Sequence, residues 1–260
     1  MIHELRLFFV ALQFFTRVQV PRWVGFEPEW LHQSARYFPA VGLVVGLVAS
    51  FVLWIGHVLF TPAVAVGLSM SASVLLTGGF HEDGWADTCD GLGGAVSRER
   101  SLAIMKDSRI GAYGAIGLVL MLGTKAAALV SLPWPVAVPA LLLAHTASRA
   151  AATALIRMLP YAGDIEHAKA KPLALRISRG GLAVAVGSVL LVALAIGLFD
   201  ARWWPAIASS LLLALIGTLA SGRWLMKRLG GYTGDTLGAT QQVTELLVLL
   251  AWIATLRAGW

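Results

Sequence analysis

Residues 81–109, HEDGWADTCDGLGGAVSRERSLAIMKDSR, set the carboxylates Glu82, Asp83, Asp87, Asp90 and Asp107 into an otherwise greasy chain. If the first part is helical, Asp83, Asp87 and Asp90 stand at i, i+4 and i+7 and share one face within about 60° of each other. Like charges so close repel, and a shared cation explains them. Carboxylate oxygens at this spacing suit a hard divalent ion such as Mg2+, which keeps part of its shell for water or for a substrate phosphate. Asp83, Asp87 and Asp90, with Glu82 beside them, are therefore candidate metal ligands. The plainer alternative is a solvated loop whose acids pair with Arg98, Arg100, Lys106 and Arg109.

Asp107 stands 17 residues beyond Asp90. It returns to the same place if Gly91, Gly93 and Gly94 break the first helix and a second short helix runs from Arg98 to Lys106. Lys106 and Arg109 then offer donors to phosphate oxygens, Arg109 in bidentate fashion. A basic cluster that only orients the chain in a membrane is the competing reading. Cys89, between Thr88 and Asp90, reads as a packing residue, because the surrounding carboxylates oppose a thiolate. His81 reads as a structural histidine at a helix start, with a ligand or a base as the alternative.

Two more places carry polar chemistry. Lys125 and Arg149 each lie inside a long apolar run, where charge is expensive, so they are expected to face a bundle interior and a partner; His145, Thr146 and Ser148 add polar atoms near Arg149. Arg149 is a candidate for substrate binding; a structural ion pair is the alternative for each of the two, and for Lys125 both readings stay open. The stretch GGYTGDTLGATQQVTE, residues 230–245, has glycines that let backbone approach a ligand. Among them stand Asp235, Thr236, Gln241, Gln242, Thr244 and Glu245 at the mouth of the last apolar run.

The elements that must position these groups are membrane helices. Of the 260 residues, 58% are hydrophobic and only 13% charged, against roughly 25% charged in ordinary soluble domains. Apolar runs cover about 38–60, 62–79, 110–131, 136–158, 181–199, 204–221 and 240–257, and each is long enough, or nearly so, to span a bilayer. The second is the shortest and is rich in Ser and Gly. The expected architecture is an all-α, polytopic helix bundle of about seven transmembrane helices, forming a single membrane-embedded catalytic domain over residues 1–260. An N-terminal amphipathic helix over residues 4–20 lies in the interface plane.

The stretches 1–37, 80–109, 157–180 and 222–239 hold sixteen of the twenty Lys and Arg residues. The opposite loops and the C-terminus hold only Arg202 and Arg257. The asymmetry predicts a cytoplasmic N-terminus and places the three large polar loops, with any site built from them, on the cytoplasmic side. The formal charge of +6 has its source in the same bias, so no nucleic-acid partner is inferred. The single cysteine excludes an intrachain disulfide.

The combination GGFHEDGWADTCDGLGG (78–94), IMKDSRIGAYGAIGL (104–118) and GYTGDTLGATQQVTE (231–245) resembles the cobalamin synthase family, the adenosylcobinamide-GDP ribazoletransferases. The resemblance extends over most of the chain in order and spacing. It implies a bacterial inner-membrane transferase that joins the cobinamide phosphate of adenosylcobinamide-GDP to α-ribazole or α-ribazole 5′-phosphate, releases GMP and needs Mg2+. The family's acidic motif falls on Asp83, Asp87 and Asp90, its KDSR on Lys106, Asp107, Ser108 and Arg109, and its late GD on Gly234 and Asp235. Many relatives carry Leu where Glu82 stands, which makes Glu82 the most dispensable acid.

On that reading Asp107 or Asp87 accepts the hydroxyl proton and Arg109 and Arg149 neutralise phosphate charge. Lys106, Ser108, Gly234, Asp235 and Gln241 contact substrate. Oligomeric state stays open, a homo-oligomer included. A CDP-alcohol phosphotransferase also sets aspartates at four- and three-residue steps, but its motif wants Arg where Thr88 stands. A cation-coupled transporter would show repeated halves, which the sequence lacks.

Overall fold

The structure, a computed structural model, describes residues 2–94, 97–163 and 174–259. Among these the chain is all helical, with one isolated pairing of extended residues, Tyr161 with Tyr232. Helix α1 (Ile2–Phe15) buries Leu7, Val10, Ala11, Leu12 and Phe15 against its neighbours. It is shorter than the expected 4–20, because Val18, Val20 and Pro21 follow its end and disfavour helix. Short α2 (Pro28–Ser34) leads into α3 (Phe38–Leu59), and α4 (Pro62–Thr77) packs back along α3.

The chain then turns by 88° into α5 (Phe80–Gly93). The hinge is Gly78-Gly79, whose φ values of 70° and 73° fall in the left-handed region open to glycine. This bend lays the acidic helix across one end of the bundle. Gly94 follows α5, and α6 (Arg98–Met105) begins at Ser97, whose side chain accepts the Arg100 amide at 3.2 Å. The expected break and second helix are thus both present.

Five long helices complete the fold: α7 (Ala112–Val130), α8 (Trp134–Met158), α9 (Arg179–Phe199), α10 (Trp204–Leu229) and α11 (Gly234–Arg257). α8 is the central post, in contact with α3, α9, α10 and α11. Its buried face runs from Ala137 to Ile156 and includes His145, Thr146, Ser148 and Arg149. Around it, Leu47, Phe51, Val58, Val119, Leu120, Leu191, Leu198, Leu212 and Leu215 stand exposed on the outer faces, the band that a bilayer covers.

The chain is a multi-span membrane bundle with an N-terminal helix, in which five or six segments, against the seven expected, pass as spans by length and composition. Five segments are long and apolar enough to cross, namely Pro28–Leu59, Ala112–Val130, Arg179–Phe199, Ala201–Leu229 and Gly234–Arg257, and a sixth if the bent pair α4 and α5 is one broken span. The reasons are local. α4 has only 16 residues, and α8 carries two basic and several hydroxyl side chains within its length. Lys169 and Lys171, counted among the basic loop residues, lie outside the described residues.

The crossing of α5 and α11 is set by Gly84. A Cβ there would stand 2.8 Å from the Asp235 carbonyl oxygen and 3.1 Å from its Cα. Gly84→Val is therefore expected to wedge the two helices apart. The cost is about 1–3 kcal/mol of stability, read as a lower melting temperature in detergent, with a further loss of activity because Asp235 moves from the wall facing α5.

Candidate functional site

A cavity of about 400 Å3 opens where α1, α5, α8 and α11 meet the loop around Ser108. Its two ends differ in character. Phe14, Phe15, Phe38 and Phe80 form an aromatic wall, and Asp83, Asp87, Lys106, Ser108, Arg149, Gly234, Asp235 and Gln241 supply the polar wall. The six residues expected to contact substrate (Lys106, Ser108, Arg149, Gly234, Asp235, Gln241) all line it.

Each polar residue is held by identifiable local structure. Asp83 and Asp87, one turn apart on α5, point to the same side of that helix. Thr233 caps α11 reciprocally with Thr236 (Thr236 amide to Thr233 Oγ1 3.3 Å, Thr233 amide to Thr236 Oγ1 2.8 Å). That puts Asp235 in the first turn, where the helix N-terminus favours an acid. Arg149 is 2% exposed; its Nη1 donates to the His145 carbonyl at 3.0 Å, and its buried Nε has no partner among the described residues. Tyr232 donates its hydroxyl to the Ala174 carbonyl at 3.0 Å. Burial, then the neighbouring Tyr161, push its pKa up to about 12, so it stands beside the cavity as a neutral phenol.

Four expected site residues lie elsewhere. Asp90 uses both oxygens on the N-terminus of α7, accepting the Gly111 amide at 2.7 Å and the Gly114 amide at 2.8 Å. These are amides that a helix start otherwise leaves unpaired. Glu82 turns toward α11 and accepts from Gln242 Nε2 at 3.0 Å. Asp107 and Arg109 face each other instead of the cavity: Arg109 donates Nη2 to Oδ2 at 2.6 Å and Nε to Oδ1 at 3.0 Å. The Arg109 side chain is 87% exposed, and its hydrogen bonds to Asp107 raise its pKa above the ordinary value.

Among the described residues no three His, Cys, Asp or Glu side chains converge as a metal cage. Asp83 and Asp87 fit a different kind of site. Mg2+ commonly binds through one or two carboxylates and leaves the rest of its octahedron to water and substrate phosphates, and this pair borders an open cavity. Asp90→Ala tests the distinction. It is expected to cost about 1–2 kcal/mol of stability through the lost cap and to leave the Mg2+ concentration needed for half-maximal activity unchanged.

Sequence reasoning passes over the aromatic wall, which takes Phe14 and Phe15 from the N-terminal helix. Beneath the polar wall, Lys125 and Glu245 form a buried ion pair: Lys125 faces the interior and a partner as expected, and what the sequence does not name is Glu245 as that partner.

The chain matches the family model described as cobalamin-5-phosphate synthase over residues 7–253. It is 58% identical over 258 residues to the adenosylcobinamide-GDP ribazoletransferase of Leptothrix cholodnii, covering 98% of this chain and 97% of that one. It is 44% identical to the protein of that name from Vibrio cholerae (98% and 96% covered) and 45% identical to that from Polaromonas sp. (96% and 97% covered). No solved structure matches it. The family match and the relatives each extend over nearly the whole length that carries the cavity, and the chain therefore belongs to the cobalamin-5-phosphate synthase family.

Proposed function

We propose that the chain is an adenosylcobinamide-GDP ribazoletransferase, which joins the cobinamide phosphate of adenosylcobinamide-GDP to α-ribazole or its 5′-phosphate and releases GMP. The observation that carries this is the near full-length identity of 58% to a relative of that name. A cavity whose polar wall holds paired acids and a buried arginine accords with it.

The residues divide the work as follows. Mg2+, when bound, neutralises pyrophosphate charge and polarises the reacting phosphorus, and Asp83 and Asp87 are the carboxylates that would hold it. Arg149 and Lys106 offer cationic donors to phosphate oxygens, Arg149 from a nearly dry wall where such a contact is strong. Of Asp87 and Asp107, Asp87 borders the cavity, so the hydroxyl proton is assigned to it. Ser108, Gly234 and Asp235 close the polar end. Transfer of this kind needs positioning and charge compensation more than covalent help.

The enzyme belongs in a bacterial inner membrane, as a single catalytic domain. Counting α4 and α8 as crossings restores seven spans, and the Lys and Arg asymmetry then puts the N-terminus and the cavity on the cytoplasmic side. The purified chain in detergent, given adenosylcobinamide-GDP, α-ribazole 5′-phosphate and Mg2+, is expected to release GMP, and to stop when the metal is chelated. No GMP alongside turnover of a CDP-alcohol would favour a CDP-alcohol phosphotransferase, and ion flux in liposomes without turnover would favour a transporter.

A further inference from the structure

Below the polar wall, α5, α7, α8 and α11 enclose a relay of side chains whose orientations leave no freedom. Lys125 Nζ pairs with Glu245 Oε1 and donates to Gln242 Oε1 at 3.0 Å. Gln242 Nε2 donates to Glu82 Oε1 and to Gln241 Oε1, each at 3.0 Å. Gln241 Nε2 donates to Glu245 Oε2 at 2.5 Å and to Ser148 Oγ at 3.1 Å. His145 Nδ1 lies 3.1 Å from Glu245 Oε2. Of these residues only Gln241 lines the cavity.

The charged ends settle which way each amide points. An ammonium group only donates, so Gln242 must turn its oxygen to Lys125; a carboxylate only accepts, so Gln242 turns its NH2 to Glu82, and Gln241 turns its NH2 to Glu245. Both hydrogens of Gln241 are then committed, and its oxygen already accepts one bond from Gln242. Its remaining valence, for which the described residues supply no partner, is the second lone pair of Oε1. Gln241 is 1% exposed, so flipping its amide would strand a buried donor and set oxygen against carboxylate.

We propose that Gln241 is an acceptor for a substrate hydroxyl, and that Lys125, Gln242 and Glu245 are positioning residues that fix it in that state. A glutamine so locked repels an ionised phosphate oxygen and welcomes an O–H donor. It therefore discriminates within the cavity: Arg149 takes the anionic group and Gln241 a hydroxyl of the ribonucleoside. The ligand's identity rests on the ribazoletransferase reading.

Affinities of the wild-type protein for α-ribazole and its 2′-deoxy and 3′-deoxy analogues supply the first test. Loss of one hydroxyl is expected to weaken binding about tenfold or more; equal binding of all three overturns the proposal. Gln241→Leu is expected to weaken α-ribazole about tenfold and to erase that preference, with the KM for adenosylcobinamide-GDP within about twofold of wild type.

The double variant Lys125→Met/Glu245→Gln removes the ion pair as a pair, and frees the Gln241 amide. It is expected to raise the KM for α-ribazole in the same selective way, whereas a purely structural pair would leave both KM values alone or move them together. An unaltered hydroxyl preference in either variant overturns the inference while the activity stands. Absence of turnover in the wild type removes the activity itself, a separate result.

Discussion

Replacing Asp87 by alanine is expected to lower GMP release by about a thousandfold while the protein remains folded and membrane-inserted. Asp87 shares with Asp83 the cavity face of α5, one helical turn apart, and it carries two tasks, holding divalent charge near the pyrophosphate and receiving the hydroxyl proton. Loss of a single group that compensates developing charge in a water-poor site commonly lowers turnover by about 100- to 1000-fold, and loss of a positioned base adds to this. Raising Mg2+ should recover only part of the defect, since the proton acceptor stays missing. Single-turnover GMP release across a Mg2+ series measures both components. Near-normal turnover in Asp87→Ala would sink the assignment, and the Asp90→Ala protein serves as the control for a carboxylate on the same helix that holds backbone instead of substrate.

The contrast between Asp87 and Asp90 shows where sequence reading succeeds and where it stops. The helical spacing of Asp83, Asp87 and Asp90 is a local property, and α5 has it. What a carboxylate at that spacing meets is not local. Asp90 finds the start of α7, 21 and 24 positions further along, and Glu82 finds Gln242, 160 positions away. Only the 88° bend at Gly78-Gly79 and the packing of α5 between α7 and α11 decide those meetings.

Asp107 and Arg109 show the opposite case, a purely local pairing. Two residues apart at the end of a helix, they satisfy each other first, and a motif that names both says nothing about which way they turn. Arg149 and Asp235 line the cavity, and their signal in the sequence is energetic: a cation in an apolar run, or an acid among glycines, needs a partner or a ligand wherever the chain folds. The number of spans was hard to read for a related reason. A 16-residue helix and a helix with charges at its centre both fall outside the simple pattern of a long apolar run, although α8 is the post on which the bundle is built.

Arg149→Lys is expected to lower kcat/KM for adenosylcobinamide-GDP about 100-fold with little change in melting temperature. The guanidinium has two kinds of work at once. Its Nη1 is anchored on the His145 carbonyl at 3.0 Å, and its Nε is a buried donor without a partner on the described residues. A lysine keeps the charge that balances Glu245 and Glu82, the two acids whose fields reach this position, so the interior remains neutral and the fold survives. It cannot keep the anchor and present a planar pair of donors to a phosphate as well.

Arg149→Met should be worse on both counts, because it removes the phosphate contact and leaves buried Glu245 and half-buried Glu82 facing one lysine, an imbalance worth about 3–5 kcal/mol when a buried partner is deleted. The ordering wild type, Lys, Met in kcat/KM, with a drop in melting temperature confined to Met, separates anion binding from structural charge balance. If the Lys protein turned over at the wild-type rate, Arg149 would be only a counter-ion, and Lys106 would be left as the cavity's cation for the departing phosphate.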